Sequence, residues 1–302
     1  MSEPRSVVFD AGTLHLHYLD YDGGDPAARP VVVLHGHTDS AWSWHHISSR
    51  LAARHRVIAL DLRGHGDSGT GAPSVQHLAG DLAAVIEHAG LERPALLAHS
   101  LGAHTASQFC GAFPSVVSRL VLVEGLGPPT IGGVDEAEWR RSTSGRISAA
   151  REAPRRRVLE SIGDARARFA RQHPHLPAEL LDPLVEKLVR PAEGGYQWKF
   201  DPLTRDWIIA HDHDRAEALW RGVDCPVLVV LGAEAAQRFW SKTLPPDIPG
   251  RDQGFTPEEL ERRLACFADH RFVELEECGH MIHYERPDAL YETVAPFLES
   301  AL

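Results

Sequence analysis

Five short runs of Val, Ile, Leu and Ala, at residues 31–34, 57–60, 96–98, 120–123 and 227–231, alternate along the chain with segments of helical periodicity at 44–53, 75–89 and 101–113. A strand apolar on both faces has to be covered on both faces, and helices returning between parallel strands supply that cover. The alternation therefore confines the chain to an α/β architecture with a mostly parallel central sheet flanked by helices. Residues 7–9 and 14–18 read as an opening antiparallel pair and 271–275 as a final strand. A closing helix is expected over 287–298, where a first-turn Pro287 suits the start.

The alternation breaks between about residues 127 and 221. Pro128, Pro129, Gly132 and Gly133 mark an exit from the sheet, and the strand pattern resumes only at Cys225, Pro226 and Val227. What lies between is rich in Arg and Glu, reads as helical, and is punctuated by Pro174, Pro177, Pro183 and Pro191. The expected organisation is a core over 1–127, a helical cap over 128–221, and the rest of the core over 222–302.

A formal charge of −11 argues against a nucleic-acid partner. The arginines concentrated between residues 140 and 171 are interleaved with apolar residues, the pattern of a solvated helix face. Cys110, Cys225, Cys266 and Cys278 have no metal-ligand or CxxC spacing and read as reduced, buried thiols. No run is long enough to span a membrane and the first residues lack the apolar core of a signal peptide, so a soluble cytoplasmic protein is expected. Nothing calls for a cofactor or a metal. The run His211, Asp212, His213, Asp214 has no second ligand cluster and reads as a solvated helix end.

Ala98-His99-Ser100-Leu101-Gly102 joins one of the apolar runs to a helical segment. A Ser between small residues at a strand-to-helix turn is a nucleophile elbow, which lifts the hydroxyl clear of the sheet and aims a helix N-terminus at the oxygen that turns negative in acyl transfer. The hydroxyl needs a His base, and the base an orienting carboxylate. With 19 histidines in the chain, position has to choose. His280 lies just past the last strand and before the closing helix, in a loop that returns to the carboxyl edge of the sheet, so it is the expected base; His283 is expected to pack or cap.

Four stretches, Leu34-His35-Gly36-His37, Asp61-Leu62-Arg63-Gly64-His65-Gly66-Asp67-Ser68, His99-Ser100-Leu101-Gly102 and Gly279-His280-Met281-Ile282-His283-Tyr284-Glu285-Arg286-Pro287, stand in the order found in the α/β-hydrolase superfamily. The chain resembles a capped serine hydrolase of that superfamily over almost its full length. The resemblance implies an oxyanion hole formed by the backbone N–H groups of His37 and Leu101, and a structural rather than catalytic turn over 61–68. Two such donors would contribute several kcal/mol, since losing one typically costs ~3 kcal/mol.

The acid departs from the commonest family pattern. Most relatives carry an Asp three residues after the Gly that ends the strand at 227–231, and here that position is Ala235. Glu234 lies one residue earlier, while Glu124 ends the strand at 120–123, a placement shared with some capped relatives. Both strand ends border one crevice. Glu124 is preferred and Glu234 remains the alternative.

An Asp nucleophile, as in dehalogenases and epoxide hydrolases of this fold, is excluded by Ser100. The expected activity is hydrolysis of a hydrophobic carboxylic ester or lactone through an acyl-enzyme, in the manner of a carboxylesterase. Thioester or C–C bond hydrolysis with the same residues, and a slow-turnover ligand sensor, are the alternatives. The expected partner is a small-molecule ester, with Trp42, Trp139 and Trp198 as candidate substrate contacts or, equally, as the cap's own core. Residues 234–256, with three prolines, read as a second flap or a surface loop.

Overall fold

In the computed structural model of the protein, residues 3–71, 74–130, 157–202, 204, 212–243 and 252–300 are described, together with positions 137, 140, 144 and 148. Their strands are β1 (Arg5–Asp10), β2 (His15–Tyr21), β3 (Val31–Leu34), β4 (Val57–Asp61), β5 (Ala95–His99), β6 (Arg119–Val123), β7 (Val189–Ala192), β8 (Gly195–Trp198), β9 (Val227–Gly232) and β10 (His270–Leu275). Helices of at least four residues are α1 (His45–Leu51), α2 (Val75–His88), α3 (Leu101–Ala112), α4 (Ile162–Gln172), α5 (Ala178–Leu188), α6 (His213–Trp220), α7 (Pro257–Leu264), α8 (Ile282–Glu285) and α9 (Pro287–Glu299).

Eight strands form one sheet in the order β1-β2-β4-β3-β5-β6-β9-β10. The pairs β1–β2 and β2–β4 are antiparallel, and every other neighbouring pair is parallel. Alternate residues enter opposite cores, as the two-residue period of a strand requires. Val32, Leu34, Ile58 and Leu60 pack under α2 and α3, while Val31, Val33, Val57 and Ala59 pack under α1 and α9. Burial of each Val, Leu or Ile among them contributes roughly 1.5–3 kcal/mol. From β3 the chain goes to β4 on one side and later to β5 on the other, so the order reverses between β3 and β5 and leaves a crevice at their carboxyl ends.

Local chemistry sets several boundaries. Ser74 caps α2 by accepting from the His77 N–H at 3.2 Å, and Thr256 caps α7 by accepting from the Glu259 N–H at 3.2 Å. Helix α3 lies against α6 with almost no space between the backbones. A Cβ at Gly111 would stand 1.9 Å from the Leu219 carbonyl oxygen. Gly111→Ala should accordingly lower stability by about 1–3 kcal/mol, read as a lower denaturant midpoint at unchanged slope. An unchanged midpoint would mean that the two helices separate at no cost.

Between β6 and β9 the chain leaves the sheet and builds a third apolar cluster, in which Leu159, Phe169, Leu184 and Leu188 pack with Tyr284 from α8. The expectation that this stretch is helical holds for α4, α5 and α6 but needs a correction, because β7 and β8 pair as an antiparallel hairpin within it. The turn between them consists of Glu193 and Gly194, and Gly194 takes φ 79°, a conformation that favours glycine. Pro191 is tolerated because β7 pairs only with β8, whose far side is bridged by Leu159, and so keeps its own outer edge free. The point of exit is pinned by Arg263 of α7, which is fully buried, donates to the Leu126 carbonyl, and reaches Thr130 Oγ1 at 3.1 Å and Glu259 at 2.7 Å.

Candidate active site

Ser100 directly follows β5 and precedes α3, with backbone angles of φ 49° and ψ −112°. A residue with a side chain is strained there by roughly 1–3 kcal/mol, and the neighbours hold it in place. The Ser100 N–H donates to the Val123 carbonyl at 3.0 Å, and the Gly102 N–H to the His35 carbonyl at 3.1 Å. A Cβ at Gly102 would fall 2.6 Å from that carbonyl oxygen and 2.7 Å from Leu34 Cβ, so the position excludes a side chain.

His280 stands in the loop between β10 and α8. Its Nε2 is 3.0 Å from Ser100 Oγ, and its Nδ1 is 3.0 Å from Glu124 Oε2. The other carboxylate oxygen of Glu124 accepts from the Gly232 N–H at 2.7 Å, and the Glu124 N–H donates to the Val230 carbonyl at 2.9 Å. The end of β9, where most relatives carry the acid itself, here grips an acid supplied by the end of β6. With the Nδ1–H donated to Glu124, Nε2 is left to accept from the Ser100 hydroxyl. Glu234 points elsewhere: it is half exposed and pairs with Arg238 at 2.7 Å.

Residues that the sequence did not single out fix the His280 loop. His99 donates from Nε2 to the His280 carbonyl at 2.9 Å, and the Gly279 N–H donates to the Glu285 carboxylate at 3.0 Å. Phe239 stacks on the His280 ring, with centroids 3.9 Å apart and planes 11° from parallel. It is delivered by a single π turn, Ala236–Trp240, inside the segment read as a flap or loop. Burial, with His283 and His280 alongside, holds the His99 imidazole well below its ordinary range, so it stays neutral.

His283, expected to pack or cap, is buried and bonded to Asp39 at 3.0 Å, and it stacks on Trp44. Tyr284 donates to the same carboxylate at 2.6 Å. Burial pushes the Asp39 carboxyl up, but the His283 hydrogen bond and charge outweigh it and hold the group below the usual carboxylate range. Asp39, His99 and His283 bring ligand-type atoms within 4.8 Å of one another. Two of them already bond to each other and the third to a carbonyl, so the group is a hydrogen-bonded network. In the run at 211–214, Asp212 caps α6 and His213 lies 3.0 Å from Arg263, while position 211 is outside the described residues.

Leu101 is the first residue of α3, and His37 lies in the turn after β3 with its ring 3.0 Å from Thr204 Oγ1. The 61–68 turn supports that region. Asp61 accepts from the Ala41 N–H at 2.7 Å and the Asp67 N–H at 2.9 Å, and His65 Nε2 accepts from the Thr38 N–H at 3.1 Å. Burial pushes His65 down to about 3, which keeps Nε2 an acceptor.

A cavity of about 440 Å³ opens over Ser100 and is lined by His37, His173, Phe239, His280 and Tyr284 among others. Trp198 lines a neighbouring cavity of about 110 Å³ with Asp39 and His173. Trp42, a candidate substrate contact or part of the cap's own core, packs against the cap cluster and does not line the cavity over Ser100. Ser40 caps the short 3-10 turn Ala41–Trp44, and the Trp42 ring packs toward α5 with Lys187 Nζ 4.1 Å from its centroid. Trp139 lies outside the described residues.

The model of the alpha/beta hydrolase family matches residues 31–293. The chain belongs to that family. This α/β hydrolase is 25% identical over 290 residues to a serine hydrolase-like protein of Danio rerio, covering 91% of this chain and 83% of the relative. It is 27% identical over 231 residues to a 2-(acetamidomethylene)succinate hydrolase of Mesorhizobium japonicum, covering 72% and 77%. The solved structure of an E-2-(acetamidomethylene)succinate hydrolase superposes with a TM-score of 0.75 at 21% identity, covering 98% of this chain and 100% of that one, a likeness of fold. No helix among the described residues is long and apolar enough to cross a membrane.

Proposed function

We propose that this α/β hydrolase is a serine hydrolase that cleaves a carboxylic ester or lactone through an acyl-enzyme on Ser100. The observation that carries the reading is the unbroken chain from Ser100 Oγ to His280 to Glu124, each link 3.0 Å long and the carboxylate anchored to β9. In the first step His280 Nε2 takes the hydroxyl proton while Oγ bonds to the carbonyl carbon. Glu124 holds the ring orientation and balances the imidazolium charge. The carbonyl oxygen, now negative, is held by the backbone N–H groups of Leu101 and His37. His280 then gives its proton to the leaving oxygen as the acyl C–O bond breaks. Water, deprotonated by the same imidazole, releases the acid and restores Ser100. The residues between β6 and β9 act as a cap, since His173 of that stretch reaches the cavity over Ser100.

A fluorophosphonate that labels nucleophilic serines tests this, with the adduct mapped by peptide mass spectrometry. Label should appear on Ser100. Glu124→Gln should slow labelling by about 10²–10⁴-fold, because an amide no longer selects the Nδ1–H tautomer or balances the charge. Glu234→Gln should leave the rate within a factor of about two, as expected of an exposed ion pair. Labelling slowed by Glu234→Gln instead, or absent from Ser100 in folded protein, would overturn the assignment.

A further inference from the structure

The chain is acidic, with 42 Asp and Glu against 31 Lys and Arg, yet the walls beside Ser100 are basic. Arg171 and Gln172, where α4 ends, line both the cavity over Ser100 and an adjoining open cavity of about 480 Å³. Arg157, Arg168, Gln197 and Trp198 also line that second cavity, and no carboxylate does among the described residues. Arg168 is paired to Asp164 at 3.0 Å, one helical turn back. Arg157 and Arg171 have no carboxylate partner among the described residues. On the Ser100 side Lys242 adds a cation, and Glu285, the one lining carboxylate among the described residues, is occupied by Arg238.

Three guanidinium groups around one concavity repel one another, and low-dielectric walls focus their field into the space they share. An arginine stretch whose purpose was solvation would spread its charges over a convex face. Here the hairpin β7–β8 brings Gln197 and Trp198 up to α4, so the same arginines face one open concavity with amide donors and an aromatic wall. Guanidinium forks fit the two oxygens of a carboxylate or phosphate better than they fit water.

We infer that the adjoining cavity is an anion subsite, and that the substrate carries a carboxylate or phosphate group remote from the carbonyl that Ser100 attacks. The inference rests on the reading of Ser100 as nucleophile and adds the substrate class to it. Its position beside Arg171, which belongs to both cavities, lets one molecule place its acyl carbon at Ser100 and its anionic end among Arg157, Arg168 and Arg171.

The test compares matched substrates by kcat/KM. One arm sets p-nitrophenyl half-esters of glutaric to suberic acid against their methyl diesters. The other sets acetyl-coenzyme A against its phosphate-free analogue S-acetyl-N-acetylcysteamine. The charged member of one arm should be preferred by ~10- to 100-fold at low salt, and the arm that shows it tells carboxylate from phosphate. That preference should fall as salt rises to about 0.5 M, where the Debye length shrinks to a few ångströms. In Arg171→Gln and Arg157→Gln, both exposed positions at which folding is not at stake, the ratio of charged to neutral kcat/KM should collapse toward one. A ratio near one in both arms for the unaltered enzyme, or one unmoved by either substitution, would overturn the subsite while turnover of the neutral diester left the esterase reading standing. No turnover of any neutral compound and no fluorophosphonate label on Ser100 would bring down both.

Discussion

Ser100→Ala and His280→Ala should each lower kcat on a p-nitrophenyl ester by about 10⁴–10⁶-fold, and the double substitution should cost no more than the worse single one. The expectation follows from how the two groups share one proton. Ser100 Oγ and His280 Nε2 are 3.0 Å apart, and neither hydroxyl nor imidazole does the work alone: without the base the hydroxyl keeps its proton, and without the hydroxyl the base has nothing to activate but water. A loss of 10⁶ corresponds to about 8 kcal/mol of transition-state stabilisation. What survives would come from the backbone donors at Leu101 and His37 and from the shape of the cavity. Structure should be little disturbed, because the strained φ of 49° at Ser100 is set by hydrogen bonds of the backbone and of Gly102, not by the hydroxyl. The measurement is kcat and KM for both single variants and the double variant. Losses that multiply in the double variant would show two independent contributions, and the shared-proton mechanism would have to be given up.

The parts of this architecture that were legible in the sequence share one property: their cause is local. The runs at 31–34 and 227–231 announce strands because every residue in them is apolar, and the structure extends the second by one residue, to Gly232. The elbow is legible because small residues flank Ser100 in the sequence itself, although what excludes a side chain at Gly102 is Leu34 and the His35 carbonyl at the end of the neighbouring β3. Glu124 could be shortlisted from its place at a strand end, but only the Gly232 N–H, 108 residues further on, shows why it and not Glu234 meets His280. Phe239 on the His280 ring, and His99 under the His280 carbonyl, are pairings between distant segments with no spacing rule behind them. For Trp42 the sequence left two readings open, and the packing of its ring against the cap cluster, which apolar periodicity does not report, agrees with the cap-core one. The hairpin of β7 and β8 was hidden by brevity, since two four-residue strands, the first carrying a proline, give no alternation to read. Histidine count was equally silent: position past the last strand singled out His280, and hydrogen-bond partners, not burial, separate it from His283, since both rings are buried.

That burial makes the second large effect a response to acid. His65, His99 and His104 are buried neutral, and burial is the largest cause in each case, pushing His65 and His104 down to about 3 and His99 well below its ordinary range. In the unfolded chain each takes up a proton near pH 6.5. Below that pH the unfolded state therefore binds more protons than the folded state, so stability falls as pH falls, and for His65 and His104 it keeps falling until their folded-state values of about 3 are reached. His173, which burial pushes down to about 4, makes a fourth such group, so the slope near pH 5 is roughly 5 kcal/mol per pH unit and the loss between pH 6 and pH 4 rivals the total stability of an ordinary domain. Below about pH 4 the depressed carboxyls of Asp39 and Asp61 add to the loss, because the unfolded chain protonates them before the folded one does. Denaturant midpoints taken from pH 7.5 down to pH 4.5 should fall steeply below about pH 6.5. His104→Gln, which removes one titrating ring beside Gln108, should take about a quarter off that slope, whatever it does to stability at pH 7.5. A profile flat between pH 7 and pH 5 would mean that these rings accept protons as readily inside the fold as outside it, and the account of them as buried neutral groups would not stand.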